Sequence, residues 1–183
     1  MRSRQIDKVY TVLPSLSFSP LAAQKLRLYV DLCPSEISGL GDVESSPRGF
    51  LVQDVFLVKQ QSSYSYTELL PEFMAEFLIS RVKEGKDPDR IKLWWHSHSE
   101  MDVFWSLMDD YTAKSFQNDY MLSLVTNKAG KYLCRLDLYQ PLTLTIDHLP
   151  VVPPGRFDDE GPGLRESILK EISEQVIFYS EEP

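Results

Sequence analysis

Two histidines, a serine and an aspartate stand close together near the middle of this chain: His96, His98, Ser106 and Asp109. Imidazole nitrogens and a carboxylate oxygen can ligate a divalent metal, and a hydroxyl can donate a hydrogen bond to a developing negative charge. The chemistry open to such a set is hydrolysis by a metal-activated water. Spacing supports that reading. His96 and His98 close an apolar run, Lys92-Leu93-Trp94-Trp95, that reads as a strand over 91–98. Side chains two apart on a strand point to one face, so both imidazoles leave the strand end together. Ser106 and Asp109 are three apart where a helix over 104–117 would begin, and such residues share a face. Two histidines and one carboxylate leave the fourth tetrahedral position open, as a catalytic zinc requires. Read singly, each residue has a plainer explanation. A His-x-His is ordinarily a pair of partly exposed strand-end residues, Asp109 a carboxylate favoured by the helix dipole, and Ser106 a helix-start hydroxyl. The argument rests on the combination.

Elements on either side must hold these residues. Ser19-Pro20 opens a helix over 19–33, with serine as cap and proline in the first turn, and Cys33-Pro34 stops it. Residues 35–41 read as a short extended segment with two glycines, and 49–59 as a strand. Apolar residues Leu69, Leu70, Phe73, Phe77, Leu78 and Val82 predict a helix over 67–84, opened by Thr67 and Glu68. Residues 120–126 and 131–139 predict a hairpin around Asn127-Lys128-Ala129-Gly130, and 142–146 a further strand. Leu164, Ile168, Leu169, Ile172, Val176 and Ile177 mark a C-terminal amphipathic helix after a proline-rich, acidic connector from Pro150 to Pro162. That helix either folds back onto its own domain, the preferred expectation, or pairs with a second copy as a homodimer. The fold class expected is α/β, a central mixed sheet flanked by helices. Three segments follow: an N-terminal arm over 1–16, a domain over 17–149, and the connector with its helix over 150–183.

His96-Ser97-His98, seven residues, Ser106, two residues and Asp109 resembles the JAMM (MPN+) metalloprotease motif. Phe104-Trp105-Ser106 and the doubled Asp109-Asp110 look like its prokaryotic JAB branch. The family places a glutamate upstream, after the first helix and before a glycine, and Glu36-Ile37-Ser38-Gly39-Leu40-Gly41 is similar to that form. Glu44, Glu68 and Glu72 compete for the role without the glycine context. The sequence departs from the pattern at Ser99, where many members have proline, and at Ser38, where cysteine is common. The resemblance covers roughly 17–146 and implies a cytidine-deaminase-like MPN fold. It also implies one Zn²⁺ per chain on His96, His98 and Asp109, Glu36 as general base and Ser106 as oxyanion donor. The substrate implied is an isopeptide or peptide bond after the C-terminal tail of a ubiquitin-like protein, often bound as an added strand. Two alternatives stand beside it: an MPN-type interaction scaffold, which would lack metal ligands, and a RadC-like protein, whose His-Asn-His-Pro-Ser-Gly run is missing here.

Composition narrows the classes. With 43% hydrophobic and 25% charged residues over 183 positions, the chain can bury a core of its own. A net charge of −8 disfavours nucleic acid and anionic membranes as partners. Cys33 and Cys134 form no C-x-x-C pair and read as reduced core thiols. The N-terminus lacks the apolar stretch of a secretory leader, and no window approaches the roughly 18 apolar residues of a membrane helix, so a cytoplasmic protein is expected. His148 reads as an ordinary surface residue.

Overall fold

Ser19 accepts the Ala22 N–H at 3.1 Å and Pro20 fills the first turn, so the first helix starts where the capping residues dictate. The computed structural model describes residues 13–64, 66–116, 118–153 and 163–179. In chain order the elements are β1 (Ser15–Phe18), α1 (Pro20–Leu32), β2 (Ser38–Ser46), β3 (Gly49–Leu57), β4 (Gln60–Ser62), β5 (Thr67–Leu69), α2 (Pro71–Lys83), β6 (Ile91–Ser97), α3 (Leu107–Ser115), β7 (Tyr120–Thr126), β8 (Tyr132–Leu138), β9 (Leu144–Ile146), α4 (Leu164–Gln175) and β10 (Val176–Phe178). The chain is α/β. Seven strands form a mixed sheet in the order β1-β3-β2-β6-β7-β8-β9, and a second sheet runs β10-β4-β5.

The two faces of the large sheet follow from strand alternation along β6. Leu93 and Trp95 enter one core with α1 and α4, while Trp94 enters another beneath Phe73, Met74, Phe77 and Leu78 of α2. Gly39 of β2 lies against the first core for a steric reason. A Cβ there would sit 2.2 Å from the Phe56 carbonyl oxygen and 2.7 Å from the Trp95 ring. The glycine after Glu36 is therefore what lets β2 cross under the tryptophan. Cys33 and Cys134 are free and buried, as expected of core thiols.

Several expectations need correcting. The helix predicted over 67–84 begins only at Pro71; Thr67–Leu69 is strand β5. Proline is favoured at the first helical position and keeps the preceding residue, Leu70, out of helical angles, so the helix cannot start earlier. Val82, counted in its apolar stripe, faces solvent. The extended segment at 35–41 continues to Ser46 and turns through Pro47-Arg48 into β3. The C-terminal helix ends at Gln175, because Val176 to Phe178 pair in parallel with β4. β1 and β4 had no counterpart in the expectations; both are short, and β4 is polar. Ile168 and Ile172 of α4 bury against α1, so the helix folds onto its own domain. The connector over 150–162 lies largely outside the described residues; its start is tied down by Val152 N–H donating to the Leu16 carbonyl at 2.8 Å. No helix among the described residues is long and apolar enough to cross a membrane.

Candidate metal centre

The site forms where β6 ends and α3 begins. His96 is the penultimate residue of β6 and His98 follows it, and both are buried. The strand continues its pairing just past its end: Ser97 N–H donates to the Ile37 carbonyl, and His98 N–H to the Thr126 carbonyl at 2.9 Å. Ser38 lies opposite His96 in the antiparallel β2–β6 register. Continued two residues, that register brings Glu36 opposite His98 and onto the same face.

Aromatic rings hold the imidazoles. Trp94 stacks on His96 with centroids 4.7 Å apart, and Phe104 meets His98 edge-on at 4.5 Å. His98 Nδ1 lies 2.9 Å from the Asp102 carbonyl oxygen. A carbonyl can only accept, so Nδ1 carries the hydrogen and Nε2 turns its lone pair inward, the arrangement that orients metal-binding histidines. Asn127 braces that loop by donating to the Met101 carbonyl at 2.8 Å. Ser99, where many JAMM sequences have proline, adopts φ 46°. Proline is locked near −65° and could not take this turn.

Ser106 and Asp109 form a reciprocal cap on α3. Ser106 Oγ accepts the Asp109 N–H at 3.1 Å, and Asp109 Oδ2 accepts the Ser106 N–H at 2.7 Å. This uses one carboxylate oxygen and turns the other, Oδ1, to 3.1 Å from His96 Nε2. The neighbouring Asp110 points elsewhere and pairs with Arg135 Nη1 at 2.6 Å.

The donor set fits a divalent cation. His96 Nε2 and His98 Nε2 are 3.2 Å apart, and one ligand atom from each of His96, His98 and Asp109 falls within 4.8 Å of the others. Ligands bound at about 2.0–2.1 Å in a tetrahedron are about 3.3–3.4 Å from one another, close to the two shortest separations here. Two imidazole lone pairs facing across such a gap repel unless a proton or a cation lies between them. The three residues could therefore hold a metal ion; their geometry does not name which.

Electrostatics set the two carboxylates apart. Burial pushes Glu36 up from an ordinary 4.5 to about 8, and the charge of Asp109 adds to the rise. Burial also works against ionised Asp109, but the hydrogen bond and charge of His96 and the Ser106 contacts outweigh it and hold that carboxyl below its usual range. Burial lowers His98. Under the same burial, one carboxyl group thus stays ionised and the other holds its proton toward neutrality.

All five residues singled out in the sequence line one narrow cleft of about 80 Å³. Tyr66, Thr67, Met101, Phe104 and Met108 complete its walls. Met101, Met108 and the Asp102 carbonyl carried no signal in the sequence, because a main-chain acceptor or an apolar wall has no residue type to betray it. Trp105 lies outside the walls, under the Arg135 guanidinium, and His148 is exposed.

No family model and no curated protein matches the chain. Among solved structures, it is similar to the solution structure of protein DSY2949 from Desulfitobacterium hafniense, a structural-genomics target. The TM-score is 0.55 at 14% identity, over 78% of this chain and 95% of that one. Likeness at that identity is one of fold.

Proposed function

We propose that this chain is a zinc-dependent metallopeptidase of the JAMM type, with the MPN fold. It would hydrolyse an isopeptide or peptide bond after the C-terminal tail of a ubiquitin-like protein. The observation that carries the reading is convergence. Four typed residues at JAMM spacing, and a glutamate 60 positions before the first of them, meet in one buried cleft with donor separations suited to a tetrahedral ion.

His96, His98 and Asp109 would hold the ion. When bound, it supplies Lewis acidity, drawing down the pKa of water and polarising a carbonyl. Glu36, aimed into the same cleft, accepts the proton from the attacking water and returns it to the departing amine. Its raised affinity for a proton suits the second half of that cycle. Ser106 Oγ accepts from Asp109 N–H, yet its own O–H remains free to donate to the oxyanion that develops on the scissile carbonyl.

The cleft's rim speaks for a polypeptide substrate. Phe104 and Met108 of the cleft wall and Leu107 and Tyr111 of α3 leave apolar surface exposed near the ligands, with Leu107 79% and Tyr111 71% exposed. Exposed apolar surface of this kind marks protein contact sites.

The test pairs metal content by mass spectrometry with cleavage of a ubiquitin-like fusion. Wild-type protein should carry about one zinc per chain, and Glu36→Gln should keep the zinc while losing about 10²- to 10⁴-fold in cleavage rate. Wild-type protein without stoichiometric zinc after zinc-replete purification would overturn the reading.

A further inference from the structure

β4 contributes no residue to the metal centre, yet it holds the segment that carries Glu36. Ser62 Oγ donates to the Glu36 carbonyl at 2.5 Å, and the Ser63 carbonyl accepts the Glu36 N–H at 3.2 Å. Two residues on, the Gln60 side chain pairs with both backbone groups of Ser38. Its Oε1 accepts the Ser38 N–H at 2.8 Å and its Nε2 donates to the Ser38 carbonyl at 2.7 Å. A side-chain amide placed this way acts as an extra rung of strand. The same Oε1 accepts from Thr67 Oγ1 at 2.9 Å, which joins the rung to β5. Gln60 is fully buried and Ser62 nearly so.

Glu36 needs such a hold. It lies two residues before the first ladder residue of β2, where the pairing with β6 ends, and a carboxylate at a strand end is drawn outward to water. β4 is itself only three residues long and depends on its neighbours. Val176, Ile177 and Phe178 of β10 pair with Gln60, Gln61 and Ser62, and Tyr179 N–H donates to the Ser62 carbonyl at 2.9 Å. β10 is anchored in turn by Ile168, Ile172 and Val176, which lie in the main core.

We infer that Gln60 and Ser62 are positioning residues for Glu36, and that the C-terminal strand β10 keeps them in place. Residues 164–179 then serve the active site although they lie beyond the stretch that resembles the JAMM family. The catalytic half of this inference rests on Glu36 being the base; the mechanical half rests on the hydrogen bonds alone.

The experiment uses full-length protein with Ser62→Ala, which leaves the backbone ladder intact, and Tyr179→Pro, which deletes the N–H that Ser62 accepts. Amide exchange at Glu36 and Ser38 is measured beside that of β6 and β7. Zinc content and cleavage of the ubiquitin-like fusion are measured with Glu36 intact and with Glu36→Gln. Exchange at Glu36 should quicken at least about tenfold in both variants while β6 and β7 keep their protection. With Glu36 intact, kcat should fall about 10- to 100-fold at unchanged KM and unchanged zinc. In the Glu36→Gln background the further loss should be under about twofold, since little remains to be positioned. Unaltered exchange at Glu36 in Ser62→Ala overturns the inference, and that variant decides the case should Tyr179→Pro not fold. An equal loss of kcat in both backgrounds also overturns it. Cleavage by Glu36→Gln as fast as wild type would instead remove Glu36 as base, and the exchange measurement would still judge the clamp without any substrate.

Discussion

The two ends of β6 bury charge in opposite ways. At its start, the half-buried Asp42 of β2 lies between two guanidinium groups, Arg81 at 2.8 Å and Arg90 at 2.7 Å, and Lys92 pairs with Asp119. At its finish, Glu36 and Asp109 are buried with two imidazoles, and among the described residues no lysine or arginine pairs with either carboxylate. The start also opens onto the larger cavity, about 650 Å³ against about 80 Å³. Size therefore misleads. The compensated end has its counter-ions built into the chain and works as structure. The other end gathers imidazole and carboxyl donors with no lysine or arginine beside them, a donor set that suits a bound cation.

The comparison can be broken by exchanging what each end lacks. The largest effect is expected from His96→Ala, which should lower zinc from about one per chain to background and abolish cleavage; retained zinc by mass spectrometry would sink the assignment of ligands. Ser106→Ala should keep zinc but slow cleavage about 10²- to 10³-fold, through the lost oxyanion donor. It should also cost about 1 kcal/mol in denaturant unfolding, through the lost cap. Arg81→Ala at the other end should cost about 3 kcal/mol of stability, at the low end for a broken buried pair because Arg90 remains. It should leave zinc and cleavage per folded molecule unchanged, and a loss of metal would show that the two ends are coupled.

The subtlest test is pH. Glu36 binds its proton more tightly folded, near pH 8, than unfolded, near 4.5. The stability tied to that proton is therefore complete below pH 4.5 and is lost as pH rises through about 8. His98, lowered from 6.5 by burial, works in the opposite sense but only below that value. Chelator-treated protein should accordingly lose stability between pH 6.5 and 8 in urea titrations, and Glu36→Gln should flatten the slope. A slope shared by both proteins would assign it to another group.

Much of the candidate metal centre was legible because its geometry is local. A two-residue period sends His96 and His98 to one face of a strand, and a three-residue step ties Ser106 to Asp109 in a cap, whatever the rest of the chain does. Helix α1 was equally readable, since Ser19-Pro20 and Cys33-Pro34 act on adjacent residues. Glu36 could be placed only by resemblance, because its position depends on the β2–β6 register, which no local pattern encodes. The helix over 67–84 was misread at its start for a related reason. Thr67 and Glu68 suit a helix opening, but Thr67–Leu69 gains its partners from β4, and Pro71 resets the boundary.

The sequence by itself thus determined the donor types, their spacing and the alternation that puts Trp94 and His96 on one face and Trp95 on the other. Only the tertiary structure decided how those donors are oriented. The Asp102 carbonyl fixes the His98 tautomer, Arg135 engages the neighbouring Asp110, and Gln60 and Ser62 of the polar strand β4 bond the backbone around Glu36. The physical reason is the same in each case. Main-chain acceptors and short polar strands have no side-chain period, so they become visible only when distant segments meet.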